Sequence, residues 1–270
     1  MTEIRAGCSG WSYPQWIGPF YPPGTRPSDF LKFYSRLFDF VEIDSTFYRI
    51  PNPGTVETWA KSVPENFLFS PKMPKQITHD LRLKNFEIPL QSFIESISNL
   101  GHKLGMIVIQ LAPSFSYQES FEDLKNFMGA LPEDRQFAIE FRHNSWFRED
   151  LFDLLRRSSV TFVWSEIPYV MNPGTTTTGN AYLRLVGDRS IREEDFGKVI
   201  VGDKGKINEW SRKINEEKYG LDHVFVSVNN HFQGFAPGTV NLFRTAIGQE
   251  PIDWQSRNLN GSAPRQAKLF

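Results

Sequence analysis

Cysteine is all but absent. Cys8 is the only one in 270 residues, so no intrachain disulfide framework exists and the chain suits a reducing compartment. Set among small and apolar neighbours in the first strand-like run, Cys8 reads as a packed residue, not a reactive one. Long apolar runs are also missing: nothing approaches the roughly 18 residues of a membrane helix. The start Met1-Thr2-Glu3-Ile4-Arg5 has no basic region followed by an apolar core. These absences lead to the expectation of a cytoplasmic protein without membrane attachment. Excess charge of one sign is lacking too. Thirty basic residues face 31 acidic ones, for a formal net charge of −1, so no global field marks a nucleic-acid or membrane partner, while a local basic groove stays open. The glycine-rich phosphate fingerprint is absent as well. Gly7-Cys8-Ser9-Gly10-Trp11 runs into Ser12, Tyr13, Pro14 and Trp16, which is no helix start for a dinucleotide.

Aromatic residues are plentiful at 14%, 24 of them Phe, and most fall at strand or helix spacing, where core packing explains them. Strand-like runs fall at residues 4–9, 40–45, 67–71, 106–111, 137–141, 161–164, 181–186 and 224–228, and helix-like stretches separate most of them. Strict alternation implies parallel strands joined by crossover helices. Eight repeats in this length predict a closed (β/α)8 TIM-type barrel. The segment 167–180 holds Pro168, Pro173, Gly174 and a threonine run, so a loop is expected in place of the sixth helix. The barrel domain should occupy residues 1–249, with 250–270 a polar, flexible tail.

Within the strand-like runs, polar residues share a face near the C-terminal ends. Val41 and Ile43 alternate with Glu42 and Asp44, Ile139 and Phe141 with Glu140 and Arg142, and Leu183 and Leu185 with Arg184. Because parallel barrels carry their sites at this end, the same-face residues Ser9, Glu42, Asp44, Ser70, Lys72, Gln110, Glu140, Arg142, Arg184 and Asn229 form the candidate site. Two readings of this set stay open: a self-neutralising ion network, or groups shared with an anionic substrate. The loops add His143, Asn230, Trp11, Tyr48 and Trp146. A divalent metal would draw on His79, His143 and His231 with Glu42, Glu140 or Asp188, but no local ligand spacing favours one.

Several segments together resemble the YecE-like family, known as domain of unknown function 72. They are Gly10-Trp11-Ser12-Tyr13 with Trp16, Val41-Glu42-Ile43-Asp44-Ser45-Thr46-Phe47-Tyr48 with Pro51, Phe69-Ser70-Pro71-Lys72 with Ile77-Thr78-His79, Glu140-Phe141-Arg142-His143 with Ser145-Trp146, and Asn229-Asn230 with Gly234. The resemblance spans about residues 7–247 and implies a TIM-type barrel of unestablished activity. The chain departs from the family pattern at Asp44, where Asn is usual, at Val186, where His usually follows Arg-Leu, and at His231, where Asp usually follows Asn-Asn.

Three functions fit the pattern. In the first, a hydrolase-like enzyme acts on a phosphorylated or nucleic-acid substrate. Lys72, Arg142 and Arg184 hold phosphate oxygens, Glu140 or Glu42 is the general base, and His143 donates a proton. Ser9, Gln110, Asn229 and Asn230 complete the polar lining, and Trp11, Tyr48 and Trp146 form an aromatic rim. In the second, Glu42 and Glu140 serve a glycoside hydrolase, although neighbouring cations oppose the protonated carboxyl that such chemistry needs. In the third, the lumen captures a small anion without turnover. The tail ends Gln266-Ala267-Lys268-Leu269-Phe270, similar to the pentapeptide by which bacterial DNA-metabolism proteins bind the sliding clamp, with Gln266, Leu269 and Phe270 as its anchors and Ala267 where Leu is usual.

Overall fold

The structure, a computed structural model, describes residues 2–202 and 204–255. Eight parallel strands form one sheet: β1 (Glu3–Ser9), β2 (Phe40–Ile43), β3 (Leu68–Pro71), β4 (Ile107–Gln110), β5 (Phe137–Glu140), β6 (Thr161–Glu166), β7 (Asn180–Leu185) and β8 (His223–Val228). Their order is β3-β2-β1-β8-β7-β6-β5-β4. Between β3 and β4 the ring is all but closed by bridges from Phe69 to Leu104 and from Lys72 to Val108, with Gly105 N–H donating to the Phe69 carbonyl (2.8 Å). A Cβ on Gly105 would lie 3.2 Å from that carbonyl oxygen, so the seam closes because a glycine stands there. This is a (β/α)8 TIM-type barrel, as the alternation predicted.

Crossover helices cover the outside: α1 (Phe30–Tyr34), a short α2 (Ser45–Tyr48), α3 (Pro53–Lys61), α4 (Glu87–Ile97), α5 (Tyr117–Gly129), α6 (Glu149–Arg157), α7 (Gly205–Glu217), a short α8 (Asn230–Gln233) and α9 (Ala236–Ala246). Their sequences explain their limits. Asn52 caps α3 by accepting from Gly54 N–H (2.9 Å), with Pro53 at the first position. Helix α6 buries Leu151, Phe152, Leu154 and Leu155 on one stripe, with Glu149 and Asp150 in its first turn and Arg156 and Arg157 in its last.

No helix separates β6 from β7. Instead the loop folds back along β6. Thr177 Oγ1 accepts from Phe162 N–H (2.9 Å), Asn172 Nδ2 donates to the Val163 carbonyl (2.9 Å), and Trp164 Nε1 donates to Thr175 (3.0 Å). The first two of these bonds serve β6 backbone groups, Phe162 N–H and the Val163 carbonyl, and the third ties the Trp164 side chain to the loop.

The lumen is layered. Phe40, Met106, Val108, Ala138, Val163, Tyr182 and Phe225 form a separate apolar cluster, the plug toward the N-terminal end. One pleat further along, Glu42, Gln110, Glu140, Arg184 and Ser227 follow Phe40, Val108, Ala138, Tyr182 and Phe225 on the same face. Cys8 is buried outside the lumen in the main core, where burial pushes its thiol up.

Among the described residues no helix is long and apolar enough to cross a membrane. Residues 250–255, the start of the expected tail, are tied down. Asn241 exchanges two hydrogen bonds with the backbone of Ile252, and Trp254 Nε1 donates to Pro19 (2.9 Å). The tail segment with Gln266, Leu269 and Phe270 lies outside the described residues.

Candidate anion site at the barrel mouth

Strand register makes the charged level of the lumen. Ser9 pairs with Glu42 and Glu42 with Ser70; Gln110 pairs with Glu140; Ser165 pairs with Arg184 and Arg184 with Ser227. At its centre lies the Arg184 guanidinium. Its Nε and Nη2 donate to the two oxygens of Glu42 (3.0 and 2.7 Å), while Nη1 donates to Glu140 Oε2 and to Gln110 Oε1 (3.2 Å). Arg142 continues the chain, its Nε donating to Glu140 Oε1 (2.5 Å) and its Nη2 to Gln110 (2.9 Å). Tyr182 OH donates to Glu42 (3.0 Å), and Ser9 Oγ donates to Glu42 (3.3 Å) and bonds Ser227 (2.8 Å). Glu42, Glu140 and Arg184 are wholly buried.

The electrostatics follow from this packing. Burial alone would raise the Glu140 carboxyl, but Arg142, Arg184 and Lys72 outweigh it and hold the group down at about 2. Burial likewise opposes the charge on Arg184, yet Glu140, Glu42 and Asp44 keep it firmly protonated. Three carboxylates and three cations balance, so the frame has no net charge.

Nearer the mouth, some groups stay within reach of solvent. The Arg142 side chain is 13% exposed and that of Asp44 24%. Asp44 Oδ1 lies 3.0 Å from Lys72 Nζ but accepts no aligned hydrogen bond. Burial pushes the Asp44 carboxyl up, and Lys72 and Arg184 more than reverse that; burial also draws the Lys72 ammonium down. Lys72 Nζ stands 4.4 Å from the centre of the Phe47 ring, and His79 meets the same ring edge-on at 5.1 Å. His79 lies in a π-helical turn, Gln76–Asp80, where burial, Arg142 and Lys72 lower its affinity for a proton. A cavity of about 180 Å³ opens beside Asp44, lined also by Trp11, Tyr13 and Ile43.

The other residues expected at the site serve the loops. Trp146 is buried, stacked on Phe115, with its Nε1 donating to the Phe115 carbonyl (2.6 Å); it packs the core and cannot touch a ligand at the mouth. Asn230 is buried too, its Oδ1 accepting from Trp16 Nε1 (3.2 Å) and Ala236 N–H (2.9 Å). Asn229 caps α8 through His231 N–H (3.0 Å). His143 Nδ1 accepts from Ser145 N–H (3.3 Å) and bonds Ser145 Oγ (2.7 Å), bracing its own turn. Tyr48 is 68% exposed beside Phe47. His79, His143 and His231 remain in separate loops, and among the described residues no three His, Cys, Asp or Glu side chains gather to hold a metal. Tyr182 and Ser227 belong to the network although neither stood among the expected site residues. Both were within reach of period-two counting, Tyr182 two places before Arg184 and Ser227 two before Asn229.

The model for a protein of unknown function, DUF72, matches residues 5–266. The chain belongs to the DUF72 family. It is 27% identical to the UPF0759 protein YunF of Bacillus subtilis (strain 168) over 99% of this chain and 100% of YunF. It is 28% identical to the UPF0759 protein YecE of Escherichia coli (strain K12) over 53% of this chain and 50% of YecE. Among solved structures, a DUF72 family protein from Thermotoga maritima superimposes with a TM-score of 0.76 at 26% identity, covering 92% of this chain and 100% of that one. Another, from Enterococcus faecalis, gives 0.73 at 20% identity over 92% and 96%, a likeness of fold. The barrel thus carries a charged, buried frame whose partly exposed members are Arg142 and Asp44, with the buried Lys72 paired to Asp44 and the half-buried His79 nearby.

Proposed function

We propose that this DUF72 barrel binds a phosphate-bearing ligand at the C-terminal end of its strands. The observation that carries the reading is the placement of Lys72 and Arg142, with His79, at the open edge of a neutral, buried frame. Glu140 and Gln110 hold Arg142, and Asp44 lies 3.0 Å from Lys72 Nζ. An arriving phosphate would compete with Glu140 and Asp44 for Arg142 and Lys72, and the Arg142 fork suits two phosphate oxygens.

Asp44 favours hydrolysis as a second reading. It is the one carboxylate of the set that solvent reaches, its side chain 24% exposed although its Oδ1 is buried against Lys72, so it can orient a water beside a bound phosphate. Glu42 and Glu140 do not fit that role, being buried and committed to Arg184. For the same reason the geometry does not favour a glycoside hydrolase: Glu140 stays ionised far below neutrality, and retaining or inverting chemistry needs one protonated carboxyl.

Titration with inorganic phosphate and thymidine monophosphate, followed by calorimetry, tests the binding. Arg142→Ala is expected to weaken it by about 2–5 kcal/mol, and an unchanged affinity refutes the site. Release of inorganic phosphate from the nucleotide, lost in Asp44→Asn, separates hydrolysis from capture.

A further inference from the structure

The strands that carry Lys72 and Arg142 are flanked by exposed tyrosines on opposite sides of the ring. Tyr48 ends the helix after β2, and Tyr169 lies in the loop after β6. In the strand order, β2 and β6 are four places apart in either direction, which puts the two loops diametrically across the mouth. Tyr48 packs edge-on against Phe47, whose ring faces Lys72. On the other side, Asn144, two residues beyond Arg142, clamps the far loop: its Nδ2 donates to the Tyr169 carbonyl (3.0 Å) and its Oδ1 accepts from Met171 N–H (2.9 Å). Each side therefore places one tyrosine on a loop next to the one that carries a cation.

The exposure of Tyr169 is not a by-product of packing. Its ring is 97% exposed, and its backbone sits at φ +68°, a left-handed conformation that a bulky side chain adopts only at a cost. The Asn144 bonds hold it there without burying any of the ring.

Charge around the mouth points the same way. The loops at residues 44–52, 72–86 and 141–148 hold seven lysines and arginines against Asp44 and Asp80, in a chain whose net charge is −1. Arg82, Lys84 and Arg148 face carboxylates of α5 and α6; Arg49 and Lys75 are exposed.

Resting on the phosphate-binding reading above, we propose that the ligand is single-stranded nucleic acid. The strand crosses the mouth from Tyr48 to Tyr169, bases stacking on the two rings and phosphates held by Lys72 and Arg142. Stacking on exposed aromatic faces combined with a cationic track is how single strands are held without base readout, and duplex DNA, with its bases already stacked, offers no faces to these rings.

Anisotropy of a fluorescein-labelled ten-nucleotide thymidine strand, titrated with the full chain between 50 and 200 mM salt, tests this. Two phosphate contacts predict a slope of log affinity on log salt of about −1.4. Tyr48→Ala and Tyr169→Ala, whose rings bear no part of the core, should each weaken binding about 5- to 150-fold with thermal melting unchanged. Strand binding indifferent to both substitutions, or equal for a ten-base-pair duplex, overturns the inference. If thymidine monophosphate binds in an Arg142-dependent way while the strand binds no more tightly, the phosphate reading stands and the nucleic-acid inference fails. If neither binds, both fail.

Discussion

Replacing Glu140 by Gln tests the buried frame through its dependence on pH. In the folded chain the carboxyl is held at about 2, against an ordinary value of 4.5. A depressed carboxylate adds stability that is complete above the unfolded value and is lost as pH falls through the folded one. The difference corresponds to about 3 kcal/mol at pH 7. Glu140→Gln should therefore lower the unfolding free energy at neutral pH by about that amount, through the weakened bonds to Arg142 and Arg184. As pH falls from 7 to 3.5, the unfolded wild-type chain takes up a proton at this site before the folded one does. The gap between wild type and variant should then close by about 1 to 2 kcal/mol. Urea melts of both proteins at pH 7, 5, 4 and 3.5 read the gap directly, and carboxylates remote from the frame cancel in the difference. A gap that stays constant over this range refutes the claim that Glu140 is folded as a buried, ion-paired carboxylate.

Two further substitutions probe the same frame and the packing around it. Arg184→Met strands Glu42 without its guanidinium and should cost about 3–5 kcal/mol, while the double variant Glu42→Gln/Arg184→Met should recover part of the loss in urea melts; full additivity of the two changes contradicts the pairing. Trp146→Ala should destabilise the fold by about 3–5 kcal/mol and leave phosphate affinity in the folded fraction unaltered, whereas lost affinity with intact stability would return Trp146 to the site.

Parity made the strands and their charged faces readable from the sequence. Glu42, Gln110, Glu140 and Arg184 are each placed by alternation within a short run, and their convergence needs only the parallel register that βα repeats impose. The loop in place of a helix after β6 was legible because Pro168, Pro173 and Gly174 break any helical period. Loop burial was not legible. Trp146 and Asn230 lie in turns without periodicity, and only their partners Phe115, Trp16 and Ala236, distant in sequence, reveal that they pack inward. The histidines show the same limit. His143 follows the charged strand immediately but turns to Ser145, while His79 reaches the cations through a π-helical turn that no sequence period announces. Nor did anything local mark Tyr169, whose position depends on the side chain of Asn144.

The plug beneath the charged level argues against reading the ions as mere filling. Phe40, Tyr182 and Phe225 close the lower lumen with apolar and aromatic side chains, so the same strands can plainly fill a barrel without charge. One pleat higher, burying ionised groups costs several kcal/mol each before pairing offsets it, and an apolar layer would have avoided that cost. What the ions add is position. Glu140 is shared between Arg184, which is buried, and Arg142, which is not, and Gln110 accepts from both guanidiniums. The buried arginine thereby fixes the exposed one, and an arginine held at the mouth in a single orientation gives up less conformational freedom on meeting an anion than a mobile one would. Without Arg184 the mouth would lose a balancing positive charge as well as its geometry, so ligand affinity should fall even though Arg184 itself is buried.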